Sequence, residues 1–260
     1  MTSLRQKWAA GEETLGLWLS VPSDISAEIA ARQPVDYVCV DTQHGVVDYL
    51  ASASMIQAIE LAGGTPIVRV PWNEPGIIGK SLDAGAHAVI VPMVNARAEA
   101  EAVVRAARYA PDGARSWGPV VSGMRHTDHR AWAAETVAVI PMIETAQAIS
   151  NLDEILSLPG IDAIYVGPAD LGVSLGLEPQ GNEGNPVFDG ALAAIVEACG
   201  RHGVVPGIHS SGALTPLRRR QGFRMITVTS DALATRVGYA SELAAARQAT
   251  PAAAGDGKLY

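Results

Sequence analysis

Two carboxylates, Glu144 and Asp170, each come just after a short apolar run, and the length of one strand and one helix separates them. If these runs are neighbouring parallel strands, the strand tips lie about 4.8 Å apart, and carboxylates at that spacing repel each other. A divalent cation, a shared proton or a cationic side chain would relieve the repulsion, and an all-oxygen site suits Mg²⁺ or Mn²⁺ better than zinc. The structural alternative is that each carboxylate accepts hydrogen bonds from a helix N-terminus.

A histidine and an arginine follow other apolar runs of the same kind. His44 follows one such run and precedes Gly45, so we expect it at a pocket mouth. Histidine titrates near neutral pH, which suits a general base there. Arg69 lies inside a buried run, where an unpaired guanidinium is costly. It therefore needs an anion, which is either a protein carboxylate or the developing oxyanion of a substrate.

The three lysines of the chain, Lys7, Lys80 and Lys258, lie in the N-terminal segment, in a predicted helix and in the tail. No predicted strand tip therefore offers an amine for a Schiff base. Enolate chemistry in this chain, if it occurs, has to be metal-assisted.

The elements that must position these residues are eight apolar, β-branched runs separated by segments of helical period. Strands that are apolar along their whole length and alternate with helices indicate a parallel sheet, and eight such units fit a closed (β/α)₈ barrel of the TIM type. The alternative is an open doubly wound sheet, but no G-x-G-x-x-G motif follows the first strand. We expect one α/β domain over residues 1–250 and a flexible tail over 251–260. The predicted strands are 15–20, 36–41, 66–70, 88–92, 137–143, 161–167, 204–209 and 225–229.

The connection between the fourth and fifth strands is longer than one helix requires. Its surplus, residues 111–135, is predicted to be a long loop, and such loops act as lids, binding loops or subunit contacts. His126 and His129 within it have a ligand-like spacing, but no strand holds them, which favours an ordinary loop over a metal site. Arg218, Arg219 and Arg220 are expected on the solvated face of a helix, and Met93 and Met225 are expected in the core.

Composition narrows the class of partner. The 260 residues carry a net charge of −8, which disfavours nucleic acid and anionic membrane surfaces and favours a small-molecule substrate. The chain has only two cysteines, Cys39 and Cys199, which excludes a disulfide framework and indicates a reducing, cytoplasmic setting. No run is long enough for a membrane span, and the N-terminus lacks an apolar signal core.

Several motifs occur in the order typical of the metal-dependent (class II) 2-oxo-acid aldolases, the HpcH/HpaI type, typified by 4-hydroxy-2-oxoheptanedioate aldolase. Residues 4–248 resemble this family. The motifs that carry the resemblance are Gly16-Leu-Trp-Leu-Ser20, Asp41-Thr-Gln-His-Gly45, Val68-Arg-Val-Pro71, Leu82-Asp-Ala-Gly85, Val91-Pro-Met93, Ile143-Glu-Thr145 and Gly167-Pro-Ala-Asp-Leu171.

The resemblance implies a barrel assembled as a homo-hexamer, a trimer of dimers that swap a C-terminal helix. It also implies that Glu144 and Asp170 bind Mg²⁺, Mn²⁺ or Co²⁺ and that Arg69 holds the enolate oxygen. The substrate carboxylate would meet the backbone amide of Ala169. Gly167, Asp170 and Trp18 would complete the substrate pocket.

His44 would be the base in this family, and Asp83 matches the aspartate that raises the basicity of the histidine. Our own interpretation places Asp83 near the C-terminal end of a helix, towards the opposite end of the barrel. Delivery from a neighbouring subunit or a short helix would resolve this conflict, and Asp41 is the local alternative. Met142 stands where the family has a substrate-contacting glutamine.

These residues predict a lyase that cleaves or forms a carbon–carbon bond between a pyruvate or hydroxypyruvate enolate and an aldehyde. An oxaloacetate decarboxylase using the same site is one alternative. A non-catalytic oligomeric protein that binds 2-oxo acids is another.

Overall fold

A computed structural model of the protein describes residues 2–248. Eight parallel strands run in the order β5-β4-β3-β2-β1-β8-β7-β6 around a barrel, and all eight predicted strands are present with ends within one or two residues of the prediction. The strands are β1 (Thr14–Leu19), β2 (Tyr37–Asp41), β3 (Pro66–Arg69), β4 (Ala88–Val91), β5 (Ala138–Pro141), β6 (Ala163–Val166), β7 (Val205–His209) and β8 (Met225–Ser230).

Hydrogen bonds between β5 and β6 close the barrel. The amide of Asp162 donates to the Val139 carbonyl at 3.1 Å, and the amide of Ile143 donates to the Tyr165 carbonyl at 2.9 Å. Met142 and Tyr165 also form an isolated parallel bridge. The predicted (β/α)₈ barrel is thus confirmed, and the carboxyl ends of all eight strands open at one face.

Helices cover the outside of the barrel. They are α1 (Leu4–Ala9), α2 (Asp24–Ala31), α3 (Tyr49–Leu61), α4 (Pro75–Asp83), α5 (Arg97–Ala107), α6 (Val120–Arg125), α7 (His129–Thr136), α8 (Ala146–Ser150), α9 (Leu152–Leu156), α10 (Pro168–Ser174), α11 (Pro186–His202), α12 (Thr215–Gln221) and α13 (Asp231–Gln248). None of those within residues 2–248 is both long enough and apolar enough to span a membrane.

Two apolar layers follow from the alternation of strand side chains. One layer packs the strands against the helices, and the other fills the barrel with side chains such as Tyr37, Ile90 and Tyr165. Gly16 on β1 is required here, because a Cβ on that residue would lie 2.1 Å from the Tyr37 ring.

Three sequence expectations are wrong in detail. Residues 111–135 are not a structureless loop, because most of α6 and α7 lies within them. Arg218 is not solvated: it is buried and forms an ion pair with Glu183 at 2.6 Å. Met93, expected in the core, is half-buried with a left-handed φ of 56°. The predicted tail, 251–260, lies outside the described residues.

Candidate active site

A pocket of about 260 Å³ lies at the carboxyl ends of the strands. It brings together residues that follow β2, β3 and β6, as the sequence predicted, with the ends of β1, β7 and β8. A larger depression of about 530 Å³ lies on α6, α7 and the loops flanking them, but no strand opens into it. The pocket is lined by Trp18, Ser20, His44, Arg69, Met142, Tyr165, Gly167, Pro168, Ala169, Asp170, His209 and Ser230.

The floor of the pocket contains a buried ion pair between Arg69 and Asp41. Arg69 donates from Nε to Asp41 Oδ1 at 2.8 Å and from Nη2 to Oδ2 at 2.5 Å. Burial by itself would raise the pKa of Asp41, but the hydrogen bonds and charge of Arg69 outweigh it and hold that pKa below its usual value. The anion that Arg69 requires is therefore Asp41, and Nη1 has no hydrogen-bond partner within residues 2–248.

Trp18 contacts both members of the Asp41–Arg69 ion pair. Its Nε1 donates to Asp41 Oδ2 at 3.1 Å, and its ring lies 4.9 Å from the Arg69 guanidinium. The ring stacks on Tyr165 at 5.5 Å and meets the edge of His209 at 5.1 Å. Trp18 thus lies in the predicted pocket, held between a cation and two aromatic rings.

Glu144 lies just below the pocket and is nearly inaccessible to solvent. Its Oε1 accepts a hydrogen bond from the Met93 amide at 2.8 Å, whereas Oε2 is buried without a hydrogen-bond partner. Burial, helped by the charge of Asp170 and opposed by the hydrogen bond from Met93, raises the pKa of Glu144 to about 7. A buried carboxylate oxygen without a donor is costly, so this atom favours a cation beside it.

Gly167 leaves the space beside that oxygen open. A Cβ at this position would lie 2.4 Å from Glu144 Oε2, so only glycine fits between the carboxylate and the pocket. Asp170 is exposed in the first turn of α10 and lines the pocket with Ala169. The two carboxylates that the sequence paired thus lie on the same side of one pocket.

His44 is exposed at the rim, on the loop after β2. Its backbone amide donates to Asp41 Oδ1 at 3.3 Å, so Asp41 orients the loop rather than the imidazole. The tight turn depends on Gly45, where a Cβ would lie 2.2 Å from the Asp41 carbonyl oxygen. The Asp41 side chain therefore binds Arg69, Trp18 and the backbone amides of Gln43 and His44, and its contact with His44 is to the backbone.

Asp83 does not join this pocket in the protomer. It is the last residue of α4, and its Oδ1 accepts from Arg115 Nη2 at 2.6 Å. A helix that follows a barrel strand runs back towards the amino ends of the strands, so Asp83 lies at the far end of the barrel. Within one chain, Asp83 and His44 therefore lie at opposite ends of the barrel, as our interpretation of the sequence indicated.

Sequence reasoning missed two residues of the site and placed a third, His209, at the tip of β7 without giving it a role. Burial, together with the charge of Arg69, lowers the pKa of His209 to about 4. Tyr165 looked like core, yet its hydroxyl lies 3.4 Å from His209 Nδ1. The Met93 amide that donates to Glu144 could not be predicted, because the type of residue does not reveal what its backbone N–H binds.

Comparisons with known proteins give relatives over most of the chain. A hydroxypyruvate/pyruvate aldolase of Rhizorhabdus wittichii is 40% identical over 233 residues, which cover 89% of this chain and 93% of the relative. A 4-hydroxy-2-oxo-heptane-1,7-dioate aldolase of Shigella flexneri is 32% identical, over 95% of this chain and 97% of the relative.

A solved structure of an HpcH/HpaI aldolase/citrate lyase family protein from Burkholderia cenocepacia superposes with a TM-score of 0.88 at 34% identity. The match covers 95% of this chain and 100% of that chain. The profile of the HpcH/HpaI aldolase/citrate lyase family matches residues 14–236. With the barrel and the strand-tip pocket in place, the chain belongs to the HpcH/HpaI aldolase/citrate lyase family.

Proposed function

We propose that this carbon–carbon lyase forms or cleaves the bond between the enolate of pyruvate or hydroxypyruvate and an aldehyde, with a divalent metal held by Glu144 and Asp170. The observation that carries the proposal is the buried, unpartnered Oε2 of Glu144 beside Gly167. The names of the two aldolase relatives support the reaction class.

The residues present fit such a metal. Glu144 Oε2 has no donor, and neither Cβ nor side chain blocks the space at Gly167. Carboxylate oxygens suit Mg²⁺, Mn²⁺ or Co²⁺, with water and substrate oxygens as the other ligands. When bound, the metal supplies Lewis-acid polarisation of the 2-oxo acid, which lowers the pKa of its methyl protons.

The protein groups act around the bound 2-oxo acid. The free Nη1 of Arg69 donates to the oxygen on which enolate charge develops, and Asp41 holds the guanidinium in place for this. The Ala169 amide, in the first turn of α10, binds the substrate carboxylate, and Trp18 and Gly167 shape the pocket around it. His44, at the open rim, takes the methyl proton or transfers it through water.

We also propose the homo-hexamer that the family resemblance implies, because α13 has no buried residue within the protomer. Its exposed apolar side chains, Val237, Tyr239 and Leu243, need a partner surface. Association would also allow a neighbouring subunit to deliver Asp83 to His44. Light scattering on the purified protein measures the mass, and a monomer at micromolar concentration contradicts this assembly.

We propose a cytoplasmic setting as well. Both cysteines, Cys39 and Cys199, are buried free thiols, as expected in a reducing compartment.

The test of the function compares two reactions. The metal-free protein is assayed with pyruvate or hydroxypyruvate plus an aldehyde, and separately for CO₂ release from oxaloacetate, before and after addition of Mg²⁺, Mn²⁺ or Co²⁺. We expect metal-dependent, acceptor-dependent bond formation that Asp170→Asn abolishes and that Asp153→Asn, an exposed carboxylate on α9, leaves intact. Rapid CO₂ release without aldehyde addition assigns the decarboxylase instead. Binding of pyruvate without either turnover assigns a non-catalytic binding protein, and full activity after exhaustive chelation defeats the metal assignment.

A further inference from the structure

A second cluster of metal-binding side chains lies at the other end of the barrel. Glu60 is near the end of α3, His87 directly precedes β4, and His126 directly follows α6. Because His87 is at the amino end of its strand, the cluster and the strand-tip pocket lie at opposite ends of the barrel. None of these residues lines that pocket.

Three ligand atoms converge there. His87 Nε2 lies 3.8 Å and His126 Nε2 lies 3.9 Å from Glu60 Oε1, and all three atoms lie within 4.8 Å of one another. Both imidazole nitrogens are buried and have no hydrogen-bond partner in the part of the chain that the structure describes. Leaving two buried nitrogens without hydrogen bonds beside one carboxylate oxygen costs free energy, and a ligand bound between the three atoms would remove that cost.

The charges favour metal binding over a simple ion pair. Burial lowers the pKa of His87 and of His126 to about 4, so both imidazoles are neutral at pH 7 and offer lone pairs. The other oxygen of Glu60, Oε2, forms an ion pair with Arg125. Arg125 thereby orients the carboxylate with Oε1 towards the two histidines, as outer-shell partners of metal ligands do.

Packing holds the imidazole rings in position. The Trp132 ring stacks on His126 at 3.8 Å and only 9° from parallel, and its edge contacts His87 at 5.3 Å. His129 in the same insertion packs on the other side of this aromatic group: its ring contacts Trp132 at 5.4 Å and Trp117 at 5.8 Å, and its Nε2 lies 3.3 Å from the Tyr109 hydroxyl. The residue that the sequence spacing paired with His126 is therefore not its partner here.

We propose that Glu60, His87 and His126 form a second metal site, selective for a borderline cation such as Zn²⁺, with water as the fourth ligand. Two imidazoles and one carboxylate suit Zn²⁺ and disfavour Mg²⁺. Ligand atoms around a tetrahedral zinc lie roughly 3.4 Å apart, so Glu60 Oε1 and each imidazole nitrogen need to close by about half an ångström. The two imidazole nitrogens, which lie within 4.8 Å of each other, would also have to approach.

Such a metal would join three distant parts of the chain. His126 belongs to the segment containing α6 and α7, between α5 and β5, whereas Glu60 and His87 belong to the barrel framework. A bound cation would therefore hold that segment against the base of the barrel. Because it binds only the folded chain, it would stabilise the protein in proportion to the logarithm of its concentration above the Kd.

The experiment removes the proposed strand-tip metal ligands first. A Glu144→Gln/Asp170→Asn double variant is stripped of metal and titrated with Zn²⁺ by calorimetry, while Tm is followed in parallel. We expect one Zn²⁺ per chain and a higher Tm. Adding His126→Gln should weaken Zn²⁺ binding at least about tenfold and abolish the rise in Tm, because one of three protein ligands is lost. His202→Gln, at a histidine on the outer helix α11 that pairs with Asp153 away from the cluster, is the control and should leave both unchanged.

Co²⁺ gives an independent readout in the same double variant. Four-coordinate Co²⁺ with two imidazole ligands should show intense visible d–d bands, which Glu60→Gln or His87→Gln removes even if His126→Gln fails to fold. Absence of stoichiometric Zn²⁺ binding, or Zn²⁺ binding that survives each of the three substitutions, overturns the site. Neither outcome depends on the lyase activity.

Discussion

Asp41 and Arg69 are register partners at the ends of β2 and β3, and two parallel hydrogen bonds join their side chains under the pocket. The pair is buried, with side-chain exposures of 3% for Asp41 and 11% for Arg69. Removing one member leaves the other charge uncompensated in a region of low dielectric. The arrangement leaves one guanidinium nitrogen free, so in the proposed mechanism stability and catalysis depend on the same pair.

Asp41→Asn should lower the free energy of unfolding by about 3–5 kcal/mol, since it leaves the Arg69 charge buried without a partner. Arg69→Lys keeps the charge but loses one of the two contacts, so it should cost less. Arg69→Lys should also lower kcat/KM, because an ammonium cannot contact Asp41 at two points and still donate to the substrate. Urea denaturation and steady-state kinetics measure the two effects. Arg219→Lys, at an exposed arginine that also makes paired contacts with Glu13, is the control and should change stability by less than about 1 kcal/mol. Wild-type kcat/KM in Arg69→Lys contradicts the role of Nη1.

His44→Ala should lower kcat by two to four orders of magnitude with metal affinity nearly unchanged, because the imidazole acts in the transition state. Its exposure means that stability should change little. His202→Ala, on the outer helix α11 and paired with Asp153, is the matched control. If the activity of His44→Ala stays within about threefold of the wild type, His44 is not the base.

The strands were predictable because each one is buried on both faces and so is apolar along its length. The same logic located the pocket, since carboxyl-terminal strand ends of a barrel converge at one face. Glu144, Asp170, Arg69 and His44 followed from that rule alone. His209, at the end of β7, obeys the same rule and was not assigned a role.

Features that depend on contacts between distant segments were not predictable. Arg218 looks like its exposed neighbours in the chain, and only the fold brings Glu183 to it. The sequence spacing of His126 and His129 is typical of two ligands of one metal, whereas in the fold His126 faces Glu60. No local pattern encodes these pairings, because each depends on how an insertion packs against the barrel.

Borohydride added with pyruvate should leave the mass and activity of the protein unchanged after the reagent is removed. A Schiff base needs an amine in the pocket, and the lysines that the structure describes lie elsewhere. Lys7 is paired with Asp36, and Lys80 lies over the Tyr49 ring at 4.8 Å. Intact-mass spectrometry checks this, and a stable pyruvyl adduct on either lysine contradicts metal-assisted enolate formation.

The unusual protonation of Glu144 should make the stability of the metal-free protein depend on pH. Its pKa rises from 4.5 in the unfolded chain to about 7 in the fold, chiefly through burial. Between these values the folded state binds more protons than the unfolded state, so stability falls as pH rises from 4.5 to 7 and then levels off. The total loss is on the order of 3 kcal/mol.

Glu144→Gln removes this dependence, so the difference in unfolding free energy between variant and wild type should shift in favour of the variant from pH 4.5 to 8. The new buried amide donor should lower the unfolding free energy of the variant by about 1–3 kcal/mol at every pH. The quantity to compare is therefore how the difference between variant and wild type changes with pH. Glu74→Gln is the control: hydrogen bonds from the Gly76 and Ile77 amides lower the pKa of Glu74, so its contribution to stability changes only below about pH 4.5, and the difference between that variant and the wild type should stay nearly constant from pH 4.5 to 8. Denaturation curves in the presence of a chelator at pH 4.5, 6 and 8 measure the differences. If the difference in unfolding free energy between Glu144→Gln and the wild type is the same at all three pH values, the carboxylate is solvated or already paired in the folded protein. The proposed cation at Oε2 would then have no unpaired buried charge to neutralise.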